Sequence, residues 1–463
     1  MSLPASPAPV LTRSAVFHQA WPIILAGASV PLLGVVDTAV IGQVGSTVQL
    51  AALALGTLLF NFLLWSFGFL RMATTGFVAR QAGAGNGTAV MALVLRSLLT
   101  ALLIGAVLLL LHGPASTLFL AGMDAGPVVG SAAREFIAAR IWGAPAALCL
   151  FALCGVLIGL GQGRSLLLVQ IVLNGLNALL DVLLAGVLGW GVAGIGWGTV
   201  VAEWVACALA LWCVRRAVTG AFPGHWQWPG LAVLLERKAM LRLWSANADL
   251  LVRTVCLLAG FAWFARLGGQ QGEAVLAANH LLLQWVAVCA FFLDGFAHVA
   301  EARVGQAIGA GNRQALQRAV RLTSELALIT ALLLGAGLWM AGSWLAGLMT
   351  DLVPVRSVVI SALPLASLYV VLSVAAFQLD GVFIGATDTR AMRNAIVLAL
   401  AGFVLVSLPA VAWAGNTGLW VAMVAYGVLR ALALLPAFRR LMRLPGLRSP
   451  DAMARRQGEN LPD

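Results

Sequence analysis

Charge is scarce in this sequence. Only 10% of its 463 residues are Asp, Glu, Lys or Arg, and 61% are hydrophobic, whereas a soluble domain is about a quarter charged and about half apolar. With a mean hydropathy of +0.97, water is excluded as the solvent for most of the surface. Other absences narrow the chemistry. No nucleotide-binding P-loop is present, so any pumping must draw on an ion gradient. The six Cys (Cys149, Cys154, Cys207, Cys213, Cys256 and Cys289) all fall in apolar stretches without metal-ligand spacing and read as packing residues. His18, His112, His225, His280 and His298 are scattered, and no Ser/His or Cys/His pair stands in plausible apposition. A membrane-embedded enzyme therefore lacks both a nucleophile and a metal constellation. Residues 1–12 have no basic start, so the first apolar segment is expected to be a retained helix and not a cleaved signal.

What remains is a series of apolar runs at the roughly 20-residue length that spans a bilayer. Punctuation by Gly, Pro and charge predicts twelve spans: 18–44, 49–79, 91–112, 131–159, 165–189, 193–214, 241–266, 275–304, 320–346, 357–384, 393–413 and 418–438. Several are long enough to tilt or to extend beyond the bilayer. The formal net charge of +11 is not a nucleic-acid signature, because the 28 basic residues sit beside hydrophobic segments. With the N-terminus inside, 23 of them fall at inner ends, Arg430 included, and Arg134, Arg140, Arg266 and Arg356 fall outside, with Arg253 in mid-span. A miscounted helix would invert this bias downstream, so the alternation supports twelve spans with both termini cytoplasmic.

The chain is also internally duplicated. Gly83-Ala84-Gly85-Asn86 recurs farther on as Gly309-Ala310-Gly311-Asn312, and Gly155-Val156-Leu157-Ile158-Gly159 recurs at the same offset as Gly381-Val382-Phe383-Ile384-Gly385. Two matches in one register point to parallel repeats, since an even number of spans per half preserves orientation. The expected organisation is an all-α membrane protein with a lobe over 1–220, a cytoplasmic linker over 221–240, a second lobe over 241–445 and a disordered cytoplasmic tail over 446–463.

An ionisable side chain at mid-depth in hydrocarbon costs at least about 2.5–3.5 kcal/mol, so each marks a candidate site. Asp37 ends an apolar run with no basic residue within a turn or two. Asp181 follows Asn177 by four residues, placing both on one face of span 5, with Asn174 one turn further back. A carboxylate beside an amide oxygen can hold a proton or give ligands to a small hard cation; the alternative is inter-helix hydrogen bonding. Glu203 follows Thr199 on one face of span 6, so both are candidates for the same site, against packing roles. Asp249 and Arg253 at i,i+4 are expected to neutralise each other, and Glu301 and Arg303, near the inner end of span 8, to lie in a structural ion network. Asp294 and Asp380, in matched Leu-Asp-Gly phrases, are candidates for lining a cavity in the second half, against binding backbone or a neighbouring helix. Pro22 and Pro31 bracket the part of span 1 that precedes Asp37 and predict a bend there. The 16 Trp and 19 Phe read mostly as lipid-facing or interfacial anchors.

The phrases Pro31-Leu32-Leu33-Gly34-Val35-Val36-Asp37-Thr38-Ala39-Val40-Ile41-Gly42, Phe69-Leu70-Arg71-Met72-Ala73-Thr74-Thr75-Gly76, Leu293-Asp294-Gly295-Phe296-Ala297 and Leu379-Asp380-Gly381-Val382-Phe383-Ile384-Gly385-Ala386-Thr387 resemble the multidrug and toxic compound extrusion (MATE) transporters, specifically their DinF-like branch. That resemblance implies two six-helix lobes around a central cleft opening alternately to the two sides, and export of cytotoxic, often cationic, organic compounds in exchange for H⁺ or Na⁺. It implies a coupling site formed by Asp37, Asn177, Asp181 and Thr199, with Pro22 as the kinking proline of helix 1 and Na⁺ or H⁺ as the coupling ion, and no other cofactor. Acidic coupling residues of other branches lie in the C-terminal lobe, and Asp294 and Asp380 leave that location open.

The expectation is therefore an ion-coupled exporter, a monomer set in the lipid of a bacterial cytoplasmic (inner) membrane, taking small organic substrates and no nucleic acid. A flippase for lipid or lipid-linked precursors of the same superfamily is the rival. It would call for Arg or Lys at mid-depth to hold phosphate, whereas the mid-depth positions here are more acidic than basic.

Overall fold

The computed structural model describes residues 11–124 and 126–443; residues 1–10 and 444–463, and with them the expected tail, lie outside the described residues. Among the described residues every regular element is a helix. Eleven continuous helical stretches are long and apolar enough to cross a membrane. The last, Thr389–Met442, contains a break at Ala414 and Gly415, the glycine at φ 55°, where a side chain would be strained. It is two helices, which makes twelve. They are α1 Arg13–Val44, α2 Thr47–Gly83, α3 Gly87–Gly122, α4 Pro127–Gly159, α5 Gly163–Val187, α6 Gly191–Ala221, α7 Arg237–Gly269, α8 Glu273–Gly309, α9 Arg313–Met349, α10 Val353–Ala386, α11 389–413 and α12 416–442. Most overrun the expected spans by several residues, as helices extending past a bilayer do.

The duplication is carried into the elements, because α8 begins and ends at the positions that the repeat register assigns to the two ends of α2. The repeated motifs explain themselves in packing terms. A Cβ on Gly83 would lie 2.0 Å from the Gln306 carbonyl oxygen, and one on Gly309 would lie 1.9 Å from that of Arg80, so each glycine lets α2 and α8 touch backbone to backbone. Gly85 and Gly311 turn the chain with φ of 71° and 65°. Asn86 and Asn312 then cap α3 and α9, their side chains accepting from the Ala89 and Ala315 N–H groups at 3.0 and 2.9 Å. In the second motif Gly155 and Gly159 bring α4 against α2, and Gly381 and Gly385 bring α10 against α8.

The halves are joined along one end by polar contacts between α2 and α8 and their neighbours. Arg71 pairs with Glu301 at 3.1 Å, Arg303 donates to Gln19 at 3.0 Å, Gln306 donates to the Gly159 carbonyl at 2.9 Å, and Arg80 donates to Thr387 at 3.1 Å. Glu301 and Arg303 thus both enter a polar network here, as expected, with Glu301 taking its ion partner from the other half of the chain. Two residues apart on a helix, Glu301 and Arg303 point to different sides.

Two helices are interrupted where the site lies. α1 breaks at Ser29, between its runs Arg13–Ala28 and Val30–Val44. Pro22 sits inside the first run, and Pro31 is the second residue of the second, so the interruption falls just before Pro31, where the chain lacks an N–H to continue the ladder. α4 narrows to a 3₁₀ turn over Ile141–Gly143, just before Pro145.

Candidate functional site

Asp37, Asn177, Asp181 and Thr199 meet inside the first half, where α1, α5 and α6 pack together. All four are buried, with Asn177 and Asp181 at 0% exposure and Asp37 at 6%. The local sequence makes this meeting feasible. Gly194 and Gly198 of α6 face α5 so closely that a Cβ on Gly198 would stand 2.6 Å from Asp181 Oδ1, and Gly196, between them, admits α4. Immediately after Asp181, α5 loosens into a π-helical turn over Val182–Val187, a device often found at functional sites.

The carboxyl groups of Asp37 and Asp181 face each other at hydrogen-bonding range. Asn177 Nδ2 donates to Thr199 Oγ1 at 3.0 Å and more weakly to Asp181 Oδ1 at 3.4 Å. Thr199 donates to the Ile195 carbonyl of its own helix, leaving its lone pairs toward the cluster. Three buried oxygens, Asp37 Oδ1, Asn177 Oδ1 and Asp181 Oδ2, have no hydrogen-bond partner. Buried polar atoms are nearly always satisfied, and two facing carboxylates repel. A shared proton or a small hard cation removes both problems, because each supplies positive charge to oxygens that accept and cannot donate.

Asn174, one turn before Asn177, is not in that cluster. Its Nδ2 donates at 2.9 Å to the carbonyl of Ser29, the residue at which α1 breaks, and its Oδ1 accepts from Gln170 at 3.1 Å. It ties α5 to the interruption in α1.

Comparison with known proteins gives the arrangement its context. The family model MatE matches residues 22–183 and 250–413, one segment in each half. The chain belongs to the MatE family. A relative within it, DNA damage-inducible protein F of Escherichia coli (strain K12), is 35% identical over 93% of this chain and 92% of its own. A probable multidrug resistance protein NorM of Xanthomonas axonopodis pv. citri is 27% identical over 92% of this chain and 93% of its own. Among solved structures, a MATE protein in a bent conformation superposes with a TM-score of 0.83 at 19% identity, covering 94% of this chain and 97% of that one. The fold is thus that of MATE transporters, with twelve helices in two six-helix halves.

The remaining acidic candidates of this MATE protein are ion-paired, with one exception. Glu203, one turn beyond Thr199, is bound by Arg140 through both of its oxygens, at 2.8 and 2.5 Å, so its carboxylate is engaged by a guanidinium and not by the Thr199 hydroxyl. Arg140 itself is buried. Asp249 does not neutralise Arg253: it accepts from Thr389 at 2.9 Å and Arg393 at 2.7 Å. Arg253 instead joins Arg430 on a single oxygen of Asp380, the Arg430 contact being 2.8 Å. Arg430 is therefore buried on Asp380. Asp294 is half-buried and has no ion-pair partner among the described residues; its backbone carbonyl accepts from His298. Sequence reasoning missed Arg140, whose partner is 63 residues away, and no spacing rule links positions that distant.

Proposed function

We propose that this MATE protein is an ion-coupled antiporter that exports cytotoxic, often cationic, organic compounds from the cytoplasm by alternating access. Asp37 and Asp181 exchange H⁺ or Na⁺ with the two sides of the membrane, and Asn177 and Thr199 supply neutral oxygens to the same ion. The reading is supported above all by the three unpartnered oxygens of the cluster, which describe a seat for a small cation. Two further observations agree with it. α1 is interrupted eight residues before Asp37, so a change of charge there acts on a helix already divided, and the solved MATE structures include one named for a bent and one for a straight conformation. The family's NorM relatives are named as multidrug resistance proteins.

In this reading the protein is a monomer in the bacterial inner membrane with both termini cytoplasmic, and it needs no cofactor beyond the coupling ion. The test is efflux of ethidium from liposomes holding the purified protein, driven in turn by an imposed pH gradient and an imposed Na⁺ gradient. At least one gradient should drive efflux, and Asp37→Asn should abolish it while elution on gel filtration stays as in the parent. Undiminished efflux by Asp37→Asn would refute the assignment.

A further inference from the structure

The pair Arg140–Glu203 is built with care in a place where the fold does not require it. Both side chains are less than a tenth exposed, and the guanidinium holds the carboxylate through two parallel hydrogen bonds. The Phe60 ring lies 5.0 Å from the guanidinium carbon. Gly143, in the 3₁₀ turn of α4, makes the space: a Cβ there would stand 2.3 Å from Glu203 Oε2 and 2.7 Å from Arg140 Nη1. Buried ion pairs are often no better for stability than apolar residues of the same volume. The second half of this chain carries out that replacement, since in the repeat register Arg140, Gly143 and Glu203 correspond to Ala366, Tyr369 and Leu429. The pair occurs only in the half that contains the acidic cluster.

Its position beside that cluster suggests why. Glu203 is one turn beyond Thr199 on α6, and Arg140 packs on the same stretch of α6 as the cluster, its backbone N 3.3 Å from where a Cβ on Gly196 would stand, two residues before the Gly198 that touches Asp181. The charged groups facing the cluster are Asp37 from α1, Asp181 from α5, Glu203 from α6 and Arg140 from α4; the adjoining part of α2, Thr47–Ser66, has no ionisable side chain. Two carboxylates in a dry site, with no cation near, would hold an exchangeable ion too firmly to release it. A free arginine has the opposite fault, because it would settle on the carboxylates and take the ion's place.

We infer that Arg140 is a positioning residue that lowers the cluster's affinity for its coupling cation, and that Glu203 is the tether keeping Arg140 off Asp37 and Asp181. The inference rests on the function proposed above. With Glu203→Gln, which keeps shape but removes the tether's charge, Arg140 turns to the cluster and ethidium efflux falls at least about 10-fold. In the double variant Arg140→Ala/Glu203→Leu, which copies the second half, efflux returns. Its half-saturation is shifted by about 10-fold toward tighter cation binding, to lower Na⁺ or to lower proton concentration according to the gradient that drives transport.

The experiment measures these proteins in liposomes and, in parallel, titrates Na⁺ and pH in detergent while following tryptophan emission, which needs no transported substrate. Parental efflux in Glu203→Gln overturns the tether, and parental half-saturation in an active double variant overturns the electrostatic role. A folded but inactive double variant overturns both. Should the double variant fail to fold, Glu203→Gln alone decides. If Asp37→Asn still transports, the proposed function fails; if it does not and these variants behave as the parent, only the present inference fails.

Discussion

The two halves of the chain put different chemistry at equivalent positions. Where the first half has Asp37, Asn177, Asp181 and Thr199, the second, in the repeat register, has Trp263, Phe403, Ser407 and Ala425. There the indole N–H of Trp263 donates to Ser407 Oγ at 2.9 Å, and Phe403 is fully buried and stacked on Tyr426 with centroids 5.0 Å apart. One contact therefore crosses between the same two helix positions in each half, but in the second half a donor meets an acceptor and the remaining volume is aromatic. In the first half acceptor meets acceptor, and three oxygens are left over. Duplication supplied one scaffold twice, and the difference teaches that the scaffold is indifferent to whether that seat is filled by carbon or left for an ion.

The second half concentrates its buried charge elsewhere, with Asp380 held between Arg253 and Arg430 and Asp249 held by Arg393 and Thr389. Each of these carboxylates has its own fixed counter-charge, whereas Asp37 and Asp181 have none in contact. A carboxylate with a permanent guanidinium partner has nothing to exchange; one without is open to a mobile ion.

This contrast can be broken experimentally. The largest effect is expected from Asp181→Ser, which writes the second half's residue into the first: gradient-driven ethidium efflux should fall by about 100-fold or more, with an unchanged gel-filtration profile. Next, Asp380→Asn leaves two buried guanidinium groups short of a counter-charge and should cost about 3–5 kcal/mol of stability, seen as a lower thermal midpoint in detergent. The Na⁺ or pH dependence of whatever protein remains folded should match the parent, and a shifted dependence would bring the second half into the coupling. The smallest effect belongs to Asn174→Leu, which removes the hydrogen bond to the Ser29 carbonyl, worth about 1 kcal/mol. Efflux should slow a few-fold with the ion dependence unaltered, sharpening the distinction between the cluster that takes the ion and the tether that holds the divided helix.

Much of this was legible in the chain. The cost of charge in hydrocarbon singled out Asp37 and Asp181, and the four-residue spacing put Asn177 on the same face as Asp181. The offset shared by two motifs gave the duplication, and the Gly-Ala-Gly-Asn motif that revealed it is a close contact, a turn and a cap in succession. Local spacing misled where a side chain had a better partner far away. Asp249 and Arg253 are one turn apart yet bind residues on α11 and α10 respectively, because neighbouring helices in a dry interior offer a second guanidinium and a second carboxylate that a single helix does not. Pro22 and Pro31 bracketed the break in α1, but the sequence did not say that it lies at Ser29 or that Asn174 would reach it.

By itself, then, the sequence determined the solvent, the number and repeat of the helices, and which buried carboxylates lacked a neighbour of opposite charge along the chain, because these follow from composition and from periods of a few residues. The pairing of Arg140 with Glu203, of Asp380 with two arginines, and of Arg71 with Glu301 across the halves was decided only when helices distant in sequence came to lie side by side. Long-range electrostatic partners are chosen by proximity in a low-dielectric interior, and proximity is a property of the packed structure.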